Sequence, residues 1–281
     1  MLESWQAVVL GLVEGITEYL PVSSTGHLIL AESLLGLRGE AGKEALDAFT
    51  VVIQGGSILA VLGLYWKHVL AMLRGVLGRD PVGLRLLLNL VIAFVPAAVV
   101  GLTLDRWIEA HLFRAGPVLL ALAGGGVFMI ALHRRLLRVP DPDAHGIEEI
   151  DARQAILIGA WQCLALWPGT SRSMVVIAGG LLMGLRRRDA AEFSFLLGLP
   201  TLGAASLWKI FKEREIVATL GARPVVLGVV VAAVSAALAV RWLVEFLNRR
   251  GLEPFGWYRI ALAAALCISL ALGWVELGGL S

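Results

Sequence analysis

The sequence predicts an all-α polytopic membrane protein: about six transmembrane helices plus two re-entrant helix–break–helix hairpins, arranged as an inverted-topology repeat. Three observations carry this. The 281 residues are 58% hydrophobic and only 16% charged, with a mean hydropathy of +0.81, too apolar for a soluble chain of ordinary composition. Six uninterrupted apolar stretches, at about 49–66, 86–104, 115–132, 192–210, 223–243 and 257–277, are each long enough to cross a bilayer. Two further regions, about 5–37 and 155–183, are equally apolar but broken near the middle by Pro21 and Pro168 among hydroxyl residues. With roughly 20 residues needed per crossing, no room remains for a large extramembrane domain, so 1–281 reads as a single membrane domain.

Taken in order, the first half spans 1–137. Its opening residues Met1 to Gln6 lack a basic cluster, so the apolar run after them reads as part of the mature fold and not as a cleaved signal peptide. The hairpin at 5–37 breaks at Pro21. Proline removes a backbone donor, and broken backbone at membrane depth is tolerated only where protein or a wet cavity satisfies it. Three crossings follow. Residues 138–151, with Pro140-Asp141-Pro142-Asp143, read as a solvated linker.

The second half, 152–281, repeats the pattern. Gly11-Leu12-Val13-Glu14 and Pro21-Val22-Ser23-Ser24 match Gly159-Ala160-Trp161-Gln162 and Pro168-Gly169-Thr170-Ser171. Three crossings again follow the hairpin at 155–183. An odd number of crossings inverts the second half relative to the first, a design found in many transporters. The loops at 67–85, 133–155, 183–191 and 241–256 then share one side and carry fourteen Lys or Arg against eight on the other. The positive-inside rule puts the richer side in the cytoplasm, leaving both termini and the mouth of the first hairpin outside.

Charge and cysteine content narrow the function. A net charge of +2 excludes a generally basic nucleic-acid binder. Cys163 and Cys267 sit in apolar stretches without metal-type spacing, so neither a disulfide framework nor a zinc site is expected. Ionisable groups inside membrane segments are costly and are therefore candidates for function. Glu14 and Glu18 stand four apart, which puts both carboxylates on one helix face. Their repulsion calls for a proton, a cation or a facing arginine. Next come Ser23, Ser24, Thr25 and His27, three hydroxyls and an imidazole just before the second apolar run. Hydroxyls at a helix start cap its free N–H groups, which form an anion pocket. The second break, Thr170-Ser171-Arg172-Ser173, places an arginine fork suited to phosphate at the corresponding tip. A lipid phosphate fits such a chamber, with its chain on the apolar wall and its head group between the tips. Carboxylates repel phosphate unless protonated or bridged by a hard divalent ion, Mg²⁺ or Ca²⁺, with Glu14 and Glu18 as its ligands.

The run Glu14 to His27, Glu-Gly-Ile-Thr-Glu-Tyr-Leu-Pro-Val-Ser-Ser-Thr-Gly-His, resembles the first signature of the bacterial undecaprenyl-diphosphate phosphatase family. Trp167 to Ser173 resembles its second. Val52-Ile53-Gln54, Gly56 to Ala60 and Glu192 to Leu197 extend the similarity over most of the chain. The resemblance implies removal of the terminal phosphate from the C55 lipid diphosphate, which recycles the cell-wall carrier, and an association with bacitracin resistance. It implies a bacterial plasma-membrane protein whose site opens to the periplasm. Phe and Leu on the outer faces suit membrane lipids or a second subunit, which leaves a homodimer open. Carried over, Glu14 and Glu18 become metal or proton-handling acids, Ser24 and His27 nucleophile and base in either order, and Arg172 the phosphate clamp. Ser23, Thr25, Gln54, Thr170, Ser171 and Ser173 become substrate contacts. The second signature continues here with Met174, Val175 and Val176 where the family has small or hydroxyl residues.

Two alternatives stand beside this reading. The other large class of membrane lipid phosphatases needs a histidine after its Ser-Arg element, and no histidine follows His145 here. A transporter or flippase for a phosphorylated lipid would use the same broken helices without releasing phosphate.

Overall fold

The computed structural model describes residues 2–37, 43–138 and 144–272. Its helices fall into two series of the same order. In the first, α1 (Ser4–Thr17) and α2 (Ser24–Leu34) flank a break, and α3 (Lys43–Leu64), α4 (Trp66–Val76), α5 (Pro81–Leu112) and α6 (Ala115–Arg138) come after it. In the second, α7 (Ala152–Gln162) and α8 (Arg172–Leu182) flank a break, and α9 (Arg187–Lys212), α10 (Arg214–Thr219), α11 (Ala222–Arg250) and α12 (Glu253–Ala271) complete the series. Six helices, α3, α5, α6, α9, α11 and α12, are long and apolar enough to cross a membrane, matching the six expected spans. Leu102, Leu120, Leu207, Val234 and Leu238 stay exposed on these helices. In water such faces would be costly, whereas lipid tails match them. The protein is an all-α, multi-pass membrane protein.

From the breaks to the starts of α4 and α10, the backbone repeats with a spacing of 148 residues. Tyr65, between α3 and α4, has φ −104° and ψ 24°, while Glu213, between α9 and α10, has φ −105° and ψ 25°. Ser23 and Ser171, which open α2 and α8, both have φ 74° and are the only non-glycine residues with positive φ among those described. The proline-based alignment of the two breaks is thus off by one residue. Ser23 matches Ser171, and Ser24 matches Arg172, because the second break places its proline one position earlier.

Matching helices cross antiparallel. Gln54 of α3 meets Ser206 of α9, while Tyr65 at the other end of α3 meets Phe195. In α6 and α12, Gly126 and Gly256 abut at their backbones, with Ile130 over Gly256 and Ile260 over Gly126. Each hairpin packs mainly on the opposite series, α1 along α11 and α7 along α5. Gly11 and Gly159 permit these approaches, since a Cβ on either would come 2.5 Å from a carbonyl oxygen, that of Gly228 or Ala93.

Two segments differ from the sequence reading. The expected loop 67–85 is largely helix α4, whose Met72 and Gly75 are buried while Leu73 and Val76 are exposed. Periodicity this short is hidden between two longer apolar runs. Of the expected linker, 139–143 lie outside the described residues, and the stretch from His145 to Ile150 is docked on the bundle. Ile147 and Ile150 are buried, Asn89 Nδ2 donates to the Ile150 carbonyl at 2.7 Å, and His145 pairs through its backbone with Gly184 and Arg186.

Candidate active site

The two breaks touch. Ser173 Oγ donates to the Leu20 carbonyl at 2.9 Å, joining the second tip to the first. Glu18 lies at the junction. It continues α1 in helical geometry, its N–H donating to the Glu14 carbonyl, so Glu14 and Glu18 share a face. Glu18 accepts from both sides: Ser24 Oγ donates to Oε2 at 2.7 Å, and Arg172 Nη2 donates to Oε1 at 3.2 Å. The two donors occupy equivalent positions in the two hairpins, the first residue of α2 and the first of α8. Glu14 is 1% exposed and Glu18 7%, so the Glu18–Arg172 pair is a buried ion pair. Breaking such a pair costs on the order of 3–5 kcal/mol, because the remaining charge stays buried.

Arg172 is held in one orientation. Its Nη1 donates to the Ser194 carbonyl at 2.8 Å, its Cζ lies 5.2 Å from the centre of the Tyr19 ring, and Gly198 leaves room for the guanidinium. Tyr19 packs edge-on against Phe195. Two polar atoms at the junction, Glu14 Oε1 and Arg172 Nε, are buried without a hydrogen-bond partner among the described residues. An unsatisfied acceptor and an unsatisfied donor beside an acid–arginine pair suit a ligand that offers both positive and negative atoms.

His27 lies on α2, one turn beyond Ser23. Its Nδ1 is 2.7 Å from the Ser23 carbonyl and its Nε2 2.6 Å from the Tyr258 hydroxyl, whose ring stacks on the imidazole. A carbonyl only accepts, so the proton sits on Nδ1, and neutral Nε2 accepts from Tyr258. Ser23 and Ser171 are N-caps, their Oγ atoms accepting from Gly26 and Met174 N–H. Their φ and ψ lie in a sparsely populated region that costs of order 1–3 kcal/mol. Both helices therefore start at the breaks, and a helix start favours an anion.

The remaining expected contacts divide. Thr25 lies half-buried on the first turn of α2. Thr170 is buried and donates its N–H to the Trp167 carbonyl. Ser173 is fully buried and bound to Leu20, which makes it a tie between tips. Gln54 accepts from Ser206 at 3.0 Å, across α3 and α9. Sequence reasoning missed Tyr19, Ser194, Gly198, Tyr258 and Arg259. Arg259 is fully buried, and its guanidinium reaches the carbonyls of both breaks, Pro21 and Gly169. A lone arginine in an otherwise apolar span was a readable signal for it.

Among the described residues no group of three or more His, Cys, Asp or Glu side chains is arranged to hold a metal. The two carboxylates, one with a free oxygen, match the smaller protein share of a Mg²⁺ site completed by substrate phosphate and water.

A family model described as bacitracin resistance protein BacA matches residues 7–265. An undecaprenyl-diphosphatase of Sorangium cellulosum is 48% identical over 262 residues, covering 92% of this chain and 84% of that protein. An undecaprenyl-diphosphatase of Deinococcus radiodurans is 45% identical, covering 98% of each chain. Undecaprenyl-diphosphatase 2 of Rhodospirillum rubrum is 44% identical, covering 96% of this chain and 94% of its own.

Proposed function

This chain belongs to the bacitracin resistance protein BacA family, and we infer from that membership and the geometry of its site that it is a membrane-embedded undecaprenyl-diphosphatase. It hydrolyses undecaprenyl diphosphate to undecaprenyl phosphate and inorganic phosphate. One observation carries the mechanism: Glu18 receives the Ser24 hydroxyl and the Arg172 guanidinium at once.

A hydroxyl is a weak nucleophile until a base takes its proton. Ser24 Oγ is the nucleophile and Glu18 the base. As Oγ bonds to the terminal phosphorus, its proton passes to Glu18 Oε2. The bond from that phosphorus to the bridging oxygen breaks, and undecaprenyl phosphate leaves with the electron pair. Water then attacks the phosphoserine phosphorus and the P–Oγ bond breaks; the proton held on Glu18 Oε2 returns to Ser24 Oγ, water gives up one proton, and inorganic phosphate is released. Arg172 Nε, which has no hydrogen-bond partner among the described residues, would donate to the charge that builds on phosphoryl oxygens. His27 carries its proton on Nδ1, against the Ser23 carbonyl, and its Nε2, once Tyr258 yields that position, takes the proton that the attacking water gives up in the second step. A divalent cation, Mg²⁺ or Ca²⁺, held by Glu14 and Glu18, would neutralise the diphosphate against the two acids.

The two helix series are inverted copies that meet at the tips of two re-entrant hairpins. The antiparallel crossings of α3 with α9 and of α6 with α12 support this, as do the repeated backbone angles. The protein lies in the bacterial plasma membrane with both termini and the first hairpin's mouth outside, a reading supported by the fourteen-to-eight charge bias.

Purified protein releasing phosphate from undecaprenyl diphosphate tests the activity, since a flippase releases none. Trapping with ³²P-labelled substrate tests the nucleophile. Label should persist in His27→Ala and vanish in Ser24→Ala, and the opposite pattern would make His27 the nucleophile.

A further inference from the structure

We propose that Arg259 is the positioning residue that makes one active site from the two hairpins, by gripping equivalent carbonyls of the two breaks with a single guanidinium. Nη1 donates to Pro21 at 3.5 Å and Nη2 to Gly169 at 2.8 Å, positions separated by the 148-residue spacing of the backbone repeat. Nε and Nη2 also donate to the Leu122 and Ala121 carbonyls of α6, at 3.2 and 3.0 Å. The side chain is fully buried. A buried charge is costly unless several hydrogen bonds compensate it, and here four main-chain oxygens do.

The placement explains the strained serines. Pro21 stands two residues before Ser23, and Gly169 two before Ser171. Fixing those carbonyls holds each break in the turn that gives its serine a positive φ. The same turns aim Ser24 and Arg172 at Glu18. Arg259 touches neither reacting group and acts through both. The first series has no counterpart: at the position matching Arg259 by the Gly126–Gly256 and Ile130–Ile260 pairing stands Met129.

The guanidinium fits because α6 carries Gly124-Gly125-Gly126 beside it. A Cβ on Gly125 would come 2.5 Å from Nη2 and 3.0 Å from Cζ, whereas a Cβ on Gly124 meets nothing within 4 Å. Adjacent glycines therefore supply a test and its control.

This inference rests on the phosphatase reading, so wild type is assayed in parallel. If wild type releases no phosphate from undecaprenyl diphosphate, that reading fails by itself; once wild type turns over, the variants decide the role of Arg259. Full-length Arg259→Met, Arg259→Lys, Gly125→Ala and Gly124→Ala are purified in detergent, and kcat, KM and Tm are measured for each. Arg259→Met should lower kcat at least 100-fold with KM within threefold. Arg259→Lys, with one ammonium unable to span both breaks, should fall between Met and wild type. Gly125→Ala should lower kcat at least tenfold at a Tm where Gly124→Ala keeps wild-type turnover. If Arg259→Met does not fold, the glycine pair still decides. Equal effects of the two glycine substitutions, kcat losses that simply track Tm, or turnover within threefold of wild type in folded Arg259→Met would each overturn the proposal.

Discussion

The two hairpins share the geometry of their capping serines and almost none of their chemistry. At equivalent positions the first carries Glu14, Glu18, Ser24 and His27, and the second Gln162, Leu166, Arg172 and Val175. The glycines that seat the hairpins on α11 and α5 match, as do the two capping serines with the same unusual φ. Similar scaffolding thus stands on both sides of the junction, and the reaction needs each chemical group once. Gln162 shows how the vacated position was reused. It is buried like Glu14, but its Oε1 accepts from Thr201 at 3.3 Å and its Nε2 donates to the Ala93 carbonyl at 3.5 Å. It is structural, whereas Glu14 Oε1 has no hydrogen-bond partner among the described residues. A mechanism that draws an acid and hydroxyl from one copy and a cation from the other cannot work until the copies interlock.

The sharpest way to break this comparison is to remove the group that both hairpins address. Glu18→Gln keeps the shape, loses the base and leaves Arg172 without its ion pair. Turnover should fall at least 1,000-fold, about 4 kcal/mol of transition-state stabilisation. Ser24→Ala should fall as far if the hydroxyl is the nucleophile, and the double variant should lose little more than either alone, because residues acting as a unit are not additive. Rates that multiply across the two sites would mean that Ser24 and Glu18 act separately.

The second hairpin's contribution is tested by Arg172→Lys. The charge remains but the fork that reaches Glu18, Ser194 and a phosphate oxygen together does not. A loss near 100-fold in kcat/KM is expected. A value within threefold of wild type would show that only the point charge counts. Chelation probes the first hairpin's acids. Excess EDTA should abolish phosphate release, and added Mg²⁺ or Ca²⁺ should restore it. Full activity in EDTA would leave Glu14 and Glu18 as proton carriers only.

Legibility in the sequence divides along the same line. Both breaks, the acid pair, the hydroxyl cluster and Arg172 were legible, because a polar or proline residue inside an apolar run is a strong local signal. Arg259 and Tyr258 lie in a run read only as a crossing, since nothing local says which carbonyl or imidazole a side chain will meet across the bundle. The one-residue shift between the breaks was hidden too. Prolines drew the alignment, while the backbone aligns on the serines. Gln54 was expected in the site through the family's pattern, and its partner Ser206 depends on the crossing of α3 with α9.

The smallest effect belongs to the shared scaffold and is the most direct test of its sharing. Gly11→Ala would bring a Cβ to 2.5 Å from the Gly228 carbonyl, and Gly159→Ala to the same distance from that of Ala93. Neither neighbour is a flexible side-chain end, so helix α1 must shift on α11, or α7 on α5. Overpacking of this kind costs about 1–3 kcal/mol. If the copies are mechanically equivalent, the two variants should lower Tm by the same few degrees. Their effects on turnover should still differ. A shift of α1 carries Glu14 and Glu18, whereas a shift of α7 reaches Arg172 only through the 163–171 break. Equal Tm losses with unequal rate losses would separate duplicated support from undivided chemistry, and unequal Tm losses would show that the two seats are no longer the same structure.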